Sequence, residues 1–175
     1  MRWVVLLRAV NLGARNKVPM ARLRTLLEEA GYGDVRTYIA SGNVLLDGPR
    51  SKAAVAREVE EIVADAFDVE TTAIVRTPKE LAAVVADHPF GHDTSRSHVV
   101  FLADKPAKKA ANTLAAADHS PERAVVAGSD VYVLYPAGVQ GSRLSTARLE
   151  RLLDVPGTHR NWHTVAALAE LAAEA

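Results

Sequence analysis

Trp3 to Val10 is apolar at every position except Arg8, the pattern of a strand buried on both faces. Asn11 to Val18 follows as a polar loop holding Gly13, Asn16 and Lys17. Pro19 suits a first helical turn, and Met20, Leu23, Leu26, Leu27 and Ala30 recur at helical spacing until Gly31 ends the run. Val35–Ile39 and Val44–Leu46 read as two short strands joined at Ser41-Gly42. Ser51 is placed to cap a helix with Val55, Val59, Ile62, Val63 and Phe67 on one stripe. Thr71–Arg76 is the next strand. This order, βαββαβ, predicts a ferredoxin-like unit over residues 1–77.

Thr77-Pro78-Lys79-Glu80 has the form of a capping box with proline at the first helical position, opening a helix to about Asp87. His88 to Ser97 is rich in Gly, Pro, Ser and His and reads as a loop, so residues 78–97 form a connecting helix and loop. From His98 the pattern begins again. A strand over Val99–Leu102 precedes a helix over Pro106–Ala116. A hairpin of Arg123–Ala127 and Val131–Tyr135 follows, then a Gly138/Gly141 loop and a helix bearing Leu149, Leu152 and Leu153. A last helix carries Val165, Leu168 and Leu171. The expected fold is α+β, with two tandem ferredoxin-like subdomains packed together, the second over 98–175 with the final helix.

Composition narrows the chemistry. The 175 residues are 49% hydrophobic but only 5% aromatic, so the core must be aliphatic. Lys and Arg number 21, as do Asp and Glu, which argues against a surface that tracks phosphate backbones. With no cysteine, disulfides, thiolate catalysis and Cys-based metal sites are excluded. No secretory cleavage pattern opens the chain, and no apolar run approaches the roughly 20 residues that span a bilayer. A cytoplasmic location and no membrane partner are expected. Oligomeric state is not legible.

Three polar clusters sit at element ends. In a βαββαβ unit the first and third strands are antiparallel neighbours, so Arg8 and Asn11 should meet Ser41, Gly42 and Asn43 at one rim, with Lys17 on the loop beside them. Arg8 offers a planar fork for carboxylate or phosphate, Lys17 a mobile charge, and Asn11, Ser41 and Asn43 neutral donors and acceptors. The third cluster is Thr158 to Thr164. Asn161 is a candidate N-cap, Arg160 would stand just outside that helix N-terminus, and Trp162 offers a flat wall. The expected ligand is small and anionic or nucleotide-like. Alternatives are a nucleic-acid-binding module, for which only Tyr132 and Tyr135 offer a partial stacking platform, and a purely structural role at the subdomain interface. No Walker loop, G-x-G-x-x-G or G-x-S-x-G occurs, so no cofactor is expected and no reaction is assigned. His88, His92, Asp93 and His98 share one segment, but Pro89 and Gly91 break their helical spacing, and no metal site is read from them.

The same clusters carry a family resemblance. Leu6-Leu7-Arg8-Ala9-Val10-Asn11-Leu12-Gly13, Asn16-Lys17-Val18-Pro19-Met20, Tyr38-Ile39-Ala40-Ser41-Gly42-Asn43-Val44 and Thr158-His159-Arg160-Asn161-Trp162-His163-Thr164-Val165 resemble, in order, the family called domain of unknown function 1697. Pro89-Phe90 and Ser142-Arg143-Leu144 are similar to family positions too. The resemblance implies two ferredoxin-like subdomains and no established activity. It departs at Ala9 and Ala14, where family members usually carry glycine, at His163, where asparagine is common, and at Arg143, where lysine is common.

Overall fold

A computed structural model describes residues 1–174. The fold is mixed α/β, with two four-stranded antiparallel sheets and six helices among the described residues. The chain divides into two compact units, Met1–Ala82 with the chain's end from Leu168, and Ala83–Ala167.

The first unit runs β1 (Arg2–Leu7), α1 (Met20–Glu29), β2 (Gly33–Tyr38), β3 (Asn43–Asp47), α2 (Lys52–Phe67) and β4 (Ala73–Arg76). Its sheet has the order β2-β3-β1-β4. The apolar run of β1 fills both faces: Trp3, Val5 and Leu7 pack with Leu23, Leu27, Val55, Val59 and Val63 from the two helices, while Val4 and Leu6 are also fully buried. The strand ends at Leu7, not at Val10, because Ala9 adopts φ 57°, which extended backbone does not allow. Ser51 caps α2 by accepting the Ala54 N–H, and Asp68 closes it in the left-handed region.

The expected capping box is present. The Thr77 N–H donates to Glu80 Oε2 at 2.7 Å, and the Glu80 N–H donates to Thr77 Oγ1 at 3.1 Å, opening α3 (Pro78–Ala86).

The second unit contains β5 (Ser97–Leu102), α4 (Lys108–Ala116), β6 (Arg123–Ala127), β7 (Asp130–Leu134), α5 (Thr146–Leu153) and β8 (Gly157–Asn161), and α6 (Trp162–Ala173) follows. Its sheet order is β6-β7-β5-β8, the first unit's order repeated. Its core gathers Val100, Leu102, Leu114, Val131, Val133, Leu149 and Leu153. Strand β8 corrects the sequence reading, which took Thr158–Asn161 as the approach to a helix. These residues pair with β5 in the register Val99↔Arg160, Val100↔His159 and Phe101↔Thr158. Thr-His-Arg-Asn shows no apolar alternation, so the strand is imposed by its neighbour's ladder rather than by its own pattern. Gly157 permits the approach, since a Cβ there would lie 2.8 Å from Val100 Cγ1. No helix among the described residues is long and apolar enough to cross a membrane.

Candidate functional site

The loop leaving β1 is held by its own amides. Ala9, Asn11, Gly13 and Asn16 all have φ between 50° and 57°. Asn16 Nδ2 donates to the Ala9 carbonyl at 2.8 Å, and the Asn11 N–H donates to the Asn16 carbonyl at 2.8 Å. Asn11 Nδ2 donates to the carbonyls of Val18 at 2.9 Å and Ala40 at 2.7 Å, while its Oδ1 accepts the Val18 N–H at 2.8 Å. One side chain therefore stitches both ends of the loop to the β2–β3 hairpin. Asn43 is fully buried and donates to Tyr38 O and Ser41 Oγ, each at 2.9 Å, closing the hairpin turn. Gly42 lies so close to β1 that a Cβ there would come within 2.6 Å of Val10 Cγ2 and 2.9 Å of Leu7 Cβ. Loop and hairpin thus meet as expected, but Asn43 is too buried to reach a ligand.

Beside this junction lies a cavity of about 480 Å³ lined by Asn11, Lys17, Val18, Pro19, Met20, Thr37, Ile39 and Ala40. Lys17 is the one charged side chain in the lining. Ile39 holds φ 48° and is 54% exposed, a costly conformation for a β-branched residue with little burial to offset it.

Arg8 does not line that cavity. Strand β1 has β3 on one flank and β4 on the other. The Arg8 N–H extends the β4 side by donating to Thr72 O at 3.0 Å, and Thr71 Oγ1 donates to Arg8 O at 2.7 Å. After the left-handed turn at Ala9 the chain crosses to the hairpin flank, taking Asn11 with it. Arg8 instead lines a separate cavity of about 640 Å³ with Arg57, Glu60, Glu61, Ala64, Glu70, Thr71 and Thr72. Two guanidiniums face three carboxylates there, a mixed lining with no anion preference.

In the second unit, Arg160 is 5% exposed, and its Nη1 donates to Thr158 Oγ1 at 2.6 Å and to His159 O at 2.9 Å. Burial lowers its pKa to about 10, so it stays cationic at neutral pH. It stands within β8, one residue before the Asn161 cap of α6. Asn161 Oδ1 accepts the Thr164 N–H at 2.9 Å, the expected cap of α6. Trp162 is half-buried, its ring 4.4 Å from that of His88, whose Nε2 lies 2.7 Å from Ser97 Oγ. Tyr132 and Tyr135 are buried with their hydroxyls donated to the carbonyls of Val84 and Leu144, so neither offers a face for stacking. Among the described residues no group of three His, Cys, Asp or Glu could hold a metal.

The sequence reading missed a histidine pair. His98 Nδ1 and His159 Nε2 lie 2.6 Å apart on β5 and β8. Burial lowers the pKa of both, with His98 and Arg160 adding to the effect on His159, which falls to about 4. Only recognition of β8 as a strand would have brought the two rings together.

The family model described as "Protein of unknown function (DUF1697)" matches residues 1–132. Among solved structures, the conserved bacterial protein SP0830 from Streptococcus pneumoniae is similar over 98% of each chain, with a TM-score of 0.76 and 24% identity. That likeness concerns the fold alone. No curated protein matches the chain.

Proposed function

We propose, for a chain that belongs to the DUF1697 family of proteins of unknown function, that its first half binds a small ligand pairing an anionic group with an apolar body. The site is the cavity of Asn11, Lys17, Met20, Thr37 and Ile39. The observation that carries this reading is the single charge in the lining. Lys17 stands among Val18, Pro19, Met20, Ile39 and Ala40, with the Thr37 hydroxyl and the Asn11 amide as the other polar groups. Mostly apolar walls with a few directional polar groups are the usual make-up of small-molecule sites, and about 480 Å³ falls within their usual size range. A nucleotide-like ligand fits this chemistry, with phosphate at Lys17 and a ring against Met20 and Ile39. The left-handed backbone at Asn11 and Ile39 supports the same reading, since such strain concentrates where a surface is preorganised for a partner. In this reading Ser41 and Asn43 hold the turn rather than the ligand, and Arg8, Arg160, Asn161 and Trp162 stand outside the site.

We also read each half as ferredoxin-like. In both, the second, third, first and fourth strands lie side by side in that order, with a helix after the first and third strands.

The binding reading is tested by thermal melts against a panel of nucleotides and of phosphate- and carboxylate-bearing metabolites. A ligand at about a hundred times its Kd contributes ~2.7 kcal/mol, a rise of roughly 5–10 °C for a chain of this size. Lys17→Ala should lose most of that rise and Arg8→Ala should keep it. A panel that leaves the wild-type melt unmoved, or a shift that survives Lys17→Ala intact, removes the reading.

A further inference from the structure

The second unit contains a smaller cavity of about 120 Å³, lined by Asp118, His119, Ser120, Arg143, Leu144 and Arg148. Two segments distant in sequence form it: the turn after α4, and the loop that leads into the first turn of α5. The carboxylates nearby already have other donors. Asp118 Oδ1 accepts the Ser120 N–H at 2.9 Å and the Ser120 hydroxyl at 2.6 Å. Glu122 is nearly buried and is held ionised first by the Ser142 hydroxyl, then by its own backbone N–H, with the Arg143 charge and the Arg143 N–H adding to the effect. The guanidiniums of Arg143 and Arg148 form no ion pair among the described residues, yet both line this one small space. His119 is fixed beside them, its Nε2 lying 2.7 Å from the Leu114 carbonyl, which can only accept, so Nε2 carries the proton.

From this we propose that the cavity binds a tetrahedral oxyanion, phosphate or sulfate in kind, between the forks of Arg143 and Arg148. Like charges that converge on a confined space repel unless a counter-ion joins them, and planar guanidiniums match oxyanion geometry through paired N–H donors. Among the lining residues two guanidiniums outnumber the one carboxylate, Asp118, which suits a small anion. The volume, well below the roughly 300 Å³ at which pockets for larger ligands begin, excludes a whole nucleotide. The oxyanion is either free or the tip of a phosphate monoester. The site is independent of the Lys17 cavity, which lies in the other unit.

Calorimetric titration of the full chain with inorganic phosphate, sulfate and glycerol phosphate, at ionic strength held constant with chloride, tests this. Saturable binding of phosphate is expected. Arg143→Gln and Arg148→Gln, both at exposed positions, should each weaken it about tenfold. Made in a Lys17→Ala background, which removes the charge of the other cavity, the double variant should abolish it. Equal binding of the monoester would mark the site as one for a ligand's phosphoryl end, and binding of inorganic phosphate alone would mark a free-ion site; each sustains the proposal. It is overturned if no saturable binding appears at constant ionic strength, or if a folded double variant binds phosphate as the wild type does.

Discussion

Ile39 shows how one residue's conformation bears on stability. An L-residue in the left-handed region costs about 1–2 kcal/mol, and glycine escapes that cost. With more than half of its surface exposed, Ile39 has little burial to lose. Ile39→Gly should therefore raise stability by about 1 kcal/mol, read as a higher urea midpoint, while weakening whatever binds in the Lys17 cavity. A lower midpoint would show that the side chain holds the hairpin in place. The amides flagged from sequence belong at the same scale. Asparagine is tolerant of left-handed backbone and mimics a peptide group, so it is as good at tying turns as at reading ligands. Sequence marks Asn11 and Asn43 as unusual but cannot choose between these uses. The choice is made by the Val18, Ala40 and Tyr38 carbonyls that the fold brings to them.

Among elements, the helix starts were the most legible features, because caps are local. The Thr77/Glu80 box also receives Lys52 Nζ, 2.6 and 2.8 Å from the two Glu80 oxygens, so it anchors α3 to the start of α2. Thr77→Ala removes one reciprocal bond and should cost about 1 kcal/mol, seen as a lower melting temperature. A variant that melts like the wild type would show that Lys52 and the backbone N–H of residue 77 suffice to hold Glu80. Strand β8 is the counter-example. Its residues carry no strand pattern, and it exists because β5 presents a flank that needs hydrogen bonds. That one misassigned element left Arg160 out of the sheet to which it belongs and hid His159 from His98.

For the molecule as a whole, the histidine pair predicts an acid response. His159 titrates near 4 in the fold against an ordinary value of about 6.5, so between these pH values the unfolded chain takes up a proton that the folded chain refuses. Stability is then fully present above about pH 6.5 and falls as pH drops toward 4, by roughly 2–3 kcal/mol in all. His98 shifts in the same direction. Arg96 and Arg160 oppose a second charge there, and the Tyr135 ring packs against both histidines. The carboxylates held low by Arg2 and Arg36, Asp47 and Asp34, lose their contribution only below the usual carboxylate range, so the two effects separate. Urea midpoints from pH 7 to 4.5 should decline in the wild type and flatten in His159→Asn. An equal decline in both would place the proton uptake elsewhere.

By itself the sequence determined what depends on neighbours along the chain. The apolar run of β1, the Val55-Val59-Val63 stripe of α2, the Ser51 cap and the two hairpins follow from periods of two and of 3.6 residues and from turn chemistry. These are enough for the order of most elements. Tertiary structure alone decided which side chains meet. It put Arg8 and Asn11 in the linings of different cavities, recruited Thr158–Asn161 as a strand, joined His98 to His159, and gathered Arg143 and Arg148 around one cavity. Each outcome depends on pairing between segments far apart in the chain. Such pairing is selected by the free energy of the whole packed structure, and no local pattern records it.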